Sequence, residues 1–366
     1  MKNYSYFLPM LNDVAAAIER QDYQAANQLL QPLLQDNPQN PWVQFYLAKL
    51  QEVSGELEAA QKIYLTLLRD ANNQKLTVQA RQGWQRIEST IQAQRQLDIA
   101  QATAEPNSNQ LGVLVLEPIS IDKTVATQKF AQIMQIDPYT ARLKLPSRGW
   151  RLYKSGAIGE LKFLGQKLNA AGIPCFWTTV AEVEQIRVFQ VSYFQAVQIS
   201  TATVFCENEQ GQMGSLSFNW SEVSDRAIGI LPIFEQVLDR NARGKLQRKT
   251  KTQDYAHFCD LIIPSRNCIL RLRDNSYQYD KGVTIAPSAS QTTIRINWNS
   301  LIDFLPKYTP AAQTWSDFAA FGETVIDKPE LLERIDSHIH ILRRAKSNWD
   351  SAFQLYSALI FTKATQ

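Results

Sequence analysis

Residues 7–73, FLPMLNDVAAAIERQDYQAANQLLQPLLQDNPQNPWVQFYLAKLQEVSGELEAAQKIYLTLLRDANN, state one pattern twice at a spacing of 34 residues. Ala26 falls on Ala60, Leu30 on Tyr64, Leu33 on Leu67 and Asn40 on Gln74, while Gln21-Asp22-Tyr23 falls on Gly55-Glu56-Leu57. Leu11, Val14, Ala15 and Ile18 recur at helical spacing, as do Ala25, Ala26, Leu29, Leu30 and Leu33. Pro38 and Pro41 bracket the connection between the copies, and Pro41 suits a first helical turn, where its missing N–H would be unpaired anyway. The second copy runs from Trp42 to Val53, turns at Ser54-Gly55 and returns from Ala59 to Leu68. Two helical hairpins are therefore predicted. A third stretch, roughly Leu76 to Ile99, keeps Val78, Trp84, Ile87, Ile91 and Leu97 among many Gln and Arg residues and reads as a solvating cap.

Ala26 and Ala60 at the helix crossing, Gly55 at the turn and Pro38 at the close together resemble the tetratricopeptide repeat. Asp13 replaces the apolar anchor that Leu47 keeps, Gln21 the turn Gly, and Asn72 the closing Pro. The resemblance implies a surface that carries no chemistry, with the first helix of each hairpin lining a concave face. Those positions hold Leu8, Leu11, Ala15 and Ile18, then Trp42, Phe45, Lys49 and Glu52. Leu11, Trp42, Phe45 and Lys49 are the candidate protein-binding residues, in a groove suited to a partner's amphipathic helix. The Lys and Asn pattern that clamps a C-terminal carboxylate in this family is missing. Two hairpins and a cap are near the lower limit for such an array, so the chain's own body, or a second copy in a homo-oligomer, is expected to complete the core. The whole chain resembles tetratricopeptide-repeat proteins of cyanobacteria.

The remaining 293 of 366 residues leave room for one or two further domains. With 38 Lys+Arg against 35 Asp+Glu, no global field draws the chain to nucleic acid or anionic lipid. The four cysteines, Cys175, Cys206, Cys259 and Cys268, form no C-x-x-C pair, which fits reduced thiols in a cytoplasm. Asn12, Asp13 and Glu19 interrupt the N-terminal apolar residues before a signal-peptide core forms, and no apolar run approaches the ~18 residues of a spanning helix. No direct membrane insertion is expected.

Residues 104–110 read as a linker around Pro106. Leu111 to Leu116 is a buried strand, a helix follows from a cap at Asp122, and Asp137-Pro138 opens a second, short helix. Trp150 to Tyr153 is a strand, Ile158 to Ala170 a helix ended by Gly172, and Ile173 to Trp177 a closing strand. The order β-α-α-β-α-β, with Gln135 to Arg142 before and within the second helix and Leu168 to Ile173 before the last strand, resembles the C-terminal domain of the ribosomal stalk protein and the adaptor of the Clp protease. Both are protein-binding folds, so the resemblance implies an adaptor; no site residue carries over. From Ile186 the pattern turns to period two, with a hairpin turn at Glu209-Gln210-Gly211. A helix is predicted from Asn219, capped by Glu222, to Leu238, bent at Gly229 and Pro232. Strands are predicted at Cys268–Leu272, Tyr277–Tyr279 and Thr293–Trp298, and helices at about Glu330–Ala345 and Trp349–Phe361.

Arg240, Arg243, Lys245, Arg248, Lys249 and Lys251 place six bases in twelve residues without an acid. They read either as a solvated loop, partly neutralised by Asp239 and Asp254, or as a phosphate-binding segment for nucleic acid or a nucleotide, in which Gly244 permits close backbone approach. For a metal, His257 and Cys259 could share a strand face, but no second ligand pair follows, and His338 and His340 point apart on a predicted helix. There is no Gly-x-Ser-x-Gly and no phosphate-binding Gly loop among the 14 Gly residues. No catalytic residue, cofactor or metal is assigned. The expected fold is α+β and multidomain: a tetratricopeptide-like module (1–103), a linker (104–110), a small α/β unit (111–180), a β-rich α+β body (181–310) and a helical C-terminal segment (311–366). The expected role is a non-enzymatic, cytoplasmic protein-binding adaptor or scaffold, with the basic segment as the alternative.

Overall fold

The computed structural model describes residues 4–70, 72–120, 122–240, 246–285, 293–341 and 347–365. It divides into two compact units, Met1–Gln101 and Ala102–Gln366. In the first, α1 (Tyr4–Glu19), α2 (Tyr23–Asp36), α3 (Pro41–Ser54), α4 (Leu57–Asp70) and α5 (Gln74–Ala104) follow one another. Side chains set the boundaries. Asp22 Oδ1 accepts from Ala25 N (3.0 Å), Asn40 Oδ1 from Trp42 N (2.9 Å) and Asn73 Oδ1 from Leu76 N (3.1 Å). Gly55 ends α3 at φ 86°, a left-handed cap that a Cβ would strain. The small residues Ala26 and Ala60 are fully buried where the helices cross, and Gly83 of α5 leaves room for the ring of Tyr64 in α4.

The second unit opens with β1 (Leu111–Leu116), α6 (Lys123–Met134), α7 (Pro138–Lys144), β2 (Arg151–Ala157), α8 (Ile158–Ala170) and β3 (Cys175–Thr179), the order read from the sequence. These strands form an antiparallel sheet β2-β1-β3. A short α9 (Val180–Glu184) leads to β4 (Arg187–Val197), β5 (Thr201–Glu207), β6 (Met213–Asn219), β7 (Asp225–Arg240), β8 (Leu246–Ile263) and β9 (Cys268–Arg273). After them come α10 (Ile294–Tyr308), β10 (Gln313–Trp315), α11 (Phe318–Glu323), α12 (Pro329–Leu332) and α13 (Asn348–Thr365). The large sheet runs β10-β7-β8-β9-β4-β5-β6, with β10 parallel to β7 and β4 parallel to β9.

Period-two alternation layers this unit. Phe258 and Ile262 of β8 and Ile269 of β9 face Phe353, Leu355 and Tyr356 of α13, whereas Cys259, Leu261 and Leu270 face Trp298, Leu301 and Leu305 of α10. Val113, Val115 and Phe176 of the small sheet meet that same α13 cluster, and the sheet's other side packs on α6 and α8. α13 is thus buried nearly all round, from Ala352 to Phe361, because a sheet lies on each side of it. The boundaries expected at 180/181 and 310/311 do not part this core: β10 pairs with β7, and one cluster runs from Val113 to Phe361.

Four sequence-based expectations fail. The helix from Asn219 to Leu238 is instead a 3-10 turn (Trp220–Glu222) followed by β7; the predicted cap at Asn219 and Glu222 is present, but Gly229 and Pro232 disfavour a helix and the β-branched Ile228, Ile230 and Ile233 favour the strand. Pro232 is tolerated because β10 reaches β7 only as far as Ala227. The strand at Thr293–Trp298 is the first part of α10, where Trp298, Leu301 and Leu305 bury one helical stripe and Thr293 caps. Tyr277–Tyr279 forms no strand; the segment crosses β4 with a single backbone bond, Gln278 N to Ser192 O (2.8 Å). Of the helix Glu330–Ala345 only α12 exists among the described residues, and residues 336–341 have no regular structure. Side chains from the sheet hold that segment: Gln190 Nε2 donates to His338 O (2.6 Å), Arg271 Nη1 to Ser337 O (2.8 Å), and Arg273 to His340 O.

Candidate protein-binding face

α3 is wedged between two cores. Val43 packs with Leu11, Val14, Leu30 and Leu33, while Phe45 and Ala48 pack with Ala60, Tyr64 and Leu76. Of the candidate residues, Leu11 (8 % exposed) and Phe45 (2 % exposed) therefore belong to the module's own interior, which corrects their expected place in a groove. Trp42 and Lys49 stay partly exposed. At 3.6 residues per turn, Trp42, Tyr46, Lys49 and Val53 fall within roughly 60° around the axis, the sector left between the two buried flanks. Val53 is 51 % exposed. The ring centroids of Trp42 and Tyr46 lie 6.2 Å apart, and Lys49 Nζ stands 5.4 Å from the Phe45 centroid. The stripe is aromatic at one end, cationic in the middle and aliphatic at the other.

The flank toward α5 is fixed by charge. Arg86 Nε and Nη2 donate to the two Glu52 oxygens (2.9 and 3.1 Å), and Tyr64 Oη donates to Glu52 Oε2 (2.9 Å). Burial, then the Glu52 carboxylate, pushes the Tyr64 hydroxyl well above its ordinary range. Glu52 was expected to line the groove; it ties three helices together instead. Tyr46 and Val53 were missed, and the signal was available: opposite charges 34 residues apart, Glu52 and Arg86, mark the shared flank and leave the next sector for contact.

The basic run does not form one patch. Arg248, Lys249 and Lys251 lie exposed on β8, and Arg240 ends β7 opposite Leu246; Arg243, Gly244 and Lys245 lie outside the described residues. β8 meets β9 only from Phe258 onward, so residues 235–240 and 246–251 pair only with each other in a ribbon. Alternation puts Lys249 and Lys251, opposite Val237 and Glu235, on one face and Arg248 on the other. The loop expected here is thus largely strand.

Among the described residues no group of three or more His, Cys, Asp or Glu is placed to hold a metal. His257 and Cys259 do share a face of β8, but His257 Nε2 lies 3.1 Å from Arg295 Nη1, and burial pushes the Cys259 thiol up to about 12. Burial likewise raises Cys175 to about 12 and Cys206 and Cys268 to about 11, so the thiols are unreactive near neutrality. His338 and His340 lie on the irregular segment after α12 rather than a helix, and burial lowers the His338 imidazole. A polar cleft of about 480 Å³ opens beside them, lined by Glu184, Glu333, Asp336, Asn348 and Ser351 among others. Three of these groups hold the chain in place: Ser351 Oγ donates to Ile335 O (2.9 Å), Asn348 Nδ2 to Ile326 O (3.2 Å), and His338 N to Asp336 Oδ1 (3.3 Å).

The stacked hairpins with a fully buried alanine at each crossing are the observation that decides the module. Residues 17–81 match the sequence profile of the tetratricopeptide repeat. No curated protein and no solved structure matches the chain. Tetratricopeptide repeats generally mediate protein–protein interaction, and among the described residues no helix is long and apolar enough to cross a membrane.

Proposed function

We propose that the tetratricopeptide repeats hold a protein partner and that the chain works as a non-enzymatic adaptor or scaffold. The observation that carries this reading is the partly exposed sector of α3, Trp42-Tyr46-Lys49-Val53, whose Trp42 and Tyr46 rest on the packed core at either side. Its spacing suits an amphipathic helix laid across it, whose apolar residues cover Trp42 and Val53 and whose carboxylate meets Lys49. Lys49→Glu and Val53→Asp, both at the surface, are expected to weaken partner binding about tenfold each without loss of helical circular dichroism. Partner binding unchanged in both variants contradicts the reading.

A second reading gives the β7–β8 ribbon a polyanion. What favours it is that Arg248, Lys249 and Lys251 stand exposed where only one strand pair is present. Binding to a single-stranded oligonucleotide that falls with salt and disappears in Arg248→Ala/Lys249→Ala supports it; salt-independent binding, or none, removes it.

A further inference from the structure

α7 exposes an apolar pair that the rest of its unit leaves uncovered. Tyr139 is 74 % and Leu143 58 % exposed, one turn apart on the same side of the helix, while Ala141 between them is buried on the opposite side. Asp137 Oδ1 accepts from Thr140 N (2.9 Å) and Pro138 fills the first turn, so the pair is held on a capped helix rather than a loop.

Bases frame the pair on one side. Arg142 and Lys144 are exposed in the last turn, Arg148 is exposed in the following connection, and Arg151 Nη1 donates to Leu143 O (3.0 Å), which brings its guanidinium to the end of α7. No acid occurs between Pro138 and Gly159, and among the described residues none of these four bases forms an ion pair. Asp317, which lies against Gly149, already accepts from the Tyr356 hydroxyl. Bases at a helix C-terminus oppose its dipole, which accounts for Arg142 and Lys144 but not for Arg148 or for an exposed Tyr and Leu beside them.

We propose that α7 and the connection to β2 form a second docking surface, for an acidic linear peptide carrying an aliphatic or aromatic residue. The apolar residue covers Tyr139 and Leu143, and its carboxylates meet Arg142, Lys144, Arg148 and Arg151. A nucleic acid satisfies the bases and stacks on Tyr139 but leaves Leu143 uncovered, so the peptide fits better. This surface lies in the second unit, the face on α3 in the first.

The test is fluorescence anisotropy of the full chain with a labelled peptide of alternating Asp and Leu or Phe. Comparison probes are the same peptide with Lys for Asp, the same with Ser for the apolar residues, and an oligothymidylate. The surface predicts that the acidic apolar peptide binds best, and that Leu143→Asp and Arg142→Glu each weaken it about tenfold, whereas Lys49→Glu changes it less than about twofold. Circular dichroism confirms that each variant folds. The proposal is overturned by no binding of the acidic apolar peptide, by binding indifferent to Leu143→Asp and Arg142→Glu, by loss in Lys49→Glu alone, or by tighter, Arg142-dependent binding of the oligothymidylate. Lys49→Glu separates this surface from the repeat face, so either can fail alone.

Discussion

Arg271 and Asp260 are both fully buried and sit between the large sheet and α13. The guanidinium spends its donors on Asp260 Oδ2 (2.7 Å), Gln354 Oε1 (2.9 Å) and Ser337 O (2.8 Å), so one side chain joins β8, β9, α13 and the segment after α12. Arg271→Met leaves the Asp260 carboxylate buried without its partner and is expected to cost about 3–5 kcal/mol in a denaturant titration, with much of it recovered by adding Asp260→Leu. A smaller pair guards the free edge of β6. Arg266 Nη1 donates to Ser217 O (2.6 Å), Asn219 N donates to Glu222 Oε2 (2.7 Å), and Arg266 Nε donates to Glu222 Oε1 (2.7 Å). Side chains thus occupy edge groups that a neighbouring strand would use. The Arg266 hydrogen bonds hold the Glu222 carboxyl down at about 2, below its ordinary 4.5. Because the folded pKa is the lower one, this stabilisation is fully present above about 4.5 and is lost as pH falls through about 2. The difference in denaturation midpoint between the native chain and Glu222→Gln should shrink over that window; a constant difference contradicts the assignment.

Elements were legible where a local signal and burial agreed. The caps expected at Asp122 and Asp137 each accept a backbone N–H at the start of the expected helix, and Gly55 and Gly172 lie at positive φ where helices were expected to end. They were illegible where burial lay on two sides. In β7 the residues facing α13 and those facing α10 are both apolar, so alternation is hidden and a helical stripe can be drawn through Val223, Ala227, Ile230 and Phe234. Residues 336–341 fail for a related reason: their carbonyls are bonded by Gln190, Arg271 and Arg273, more than sixty residues away in sequence. Gly229, expected to bend a helix, instead lies within the unbroken β7, where a Cβ would run into the Phe353 ring. Gly229→Ala is expected to cost about 1–3 kcal/mol, with partial recovery on adding Phe353→Leu, measured by thermal or urea unfolding.

At the scale of the molecule, a repeat unit that matches the tetratricopeptide profile precedes a larger unit organised around α13. The candidate face was half legible. Trp42 and Lys49 follow from repeat position, but Leu11 and Phe45 are core because the array is short and α3 must serve two clusters at once. Tyr46 and Val53 take their place for the same reason. The most direct test of the protein-binding claim puts a photo-crosslinking amino acid at position 49 or, as a control on α4, at the exposed Leu65 of the full-length chain in its own cells. A discrete protein adduct is expected from position 49, absent from position 65 and lost with Val53→Asp. Equal adducts from both positions, or none from position 49, contradict it.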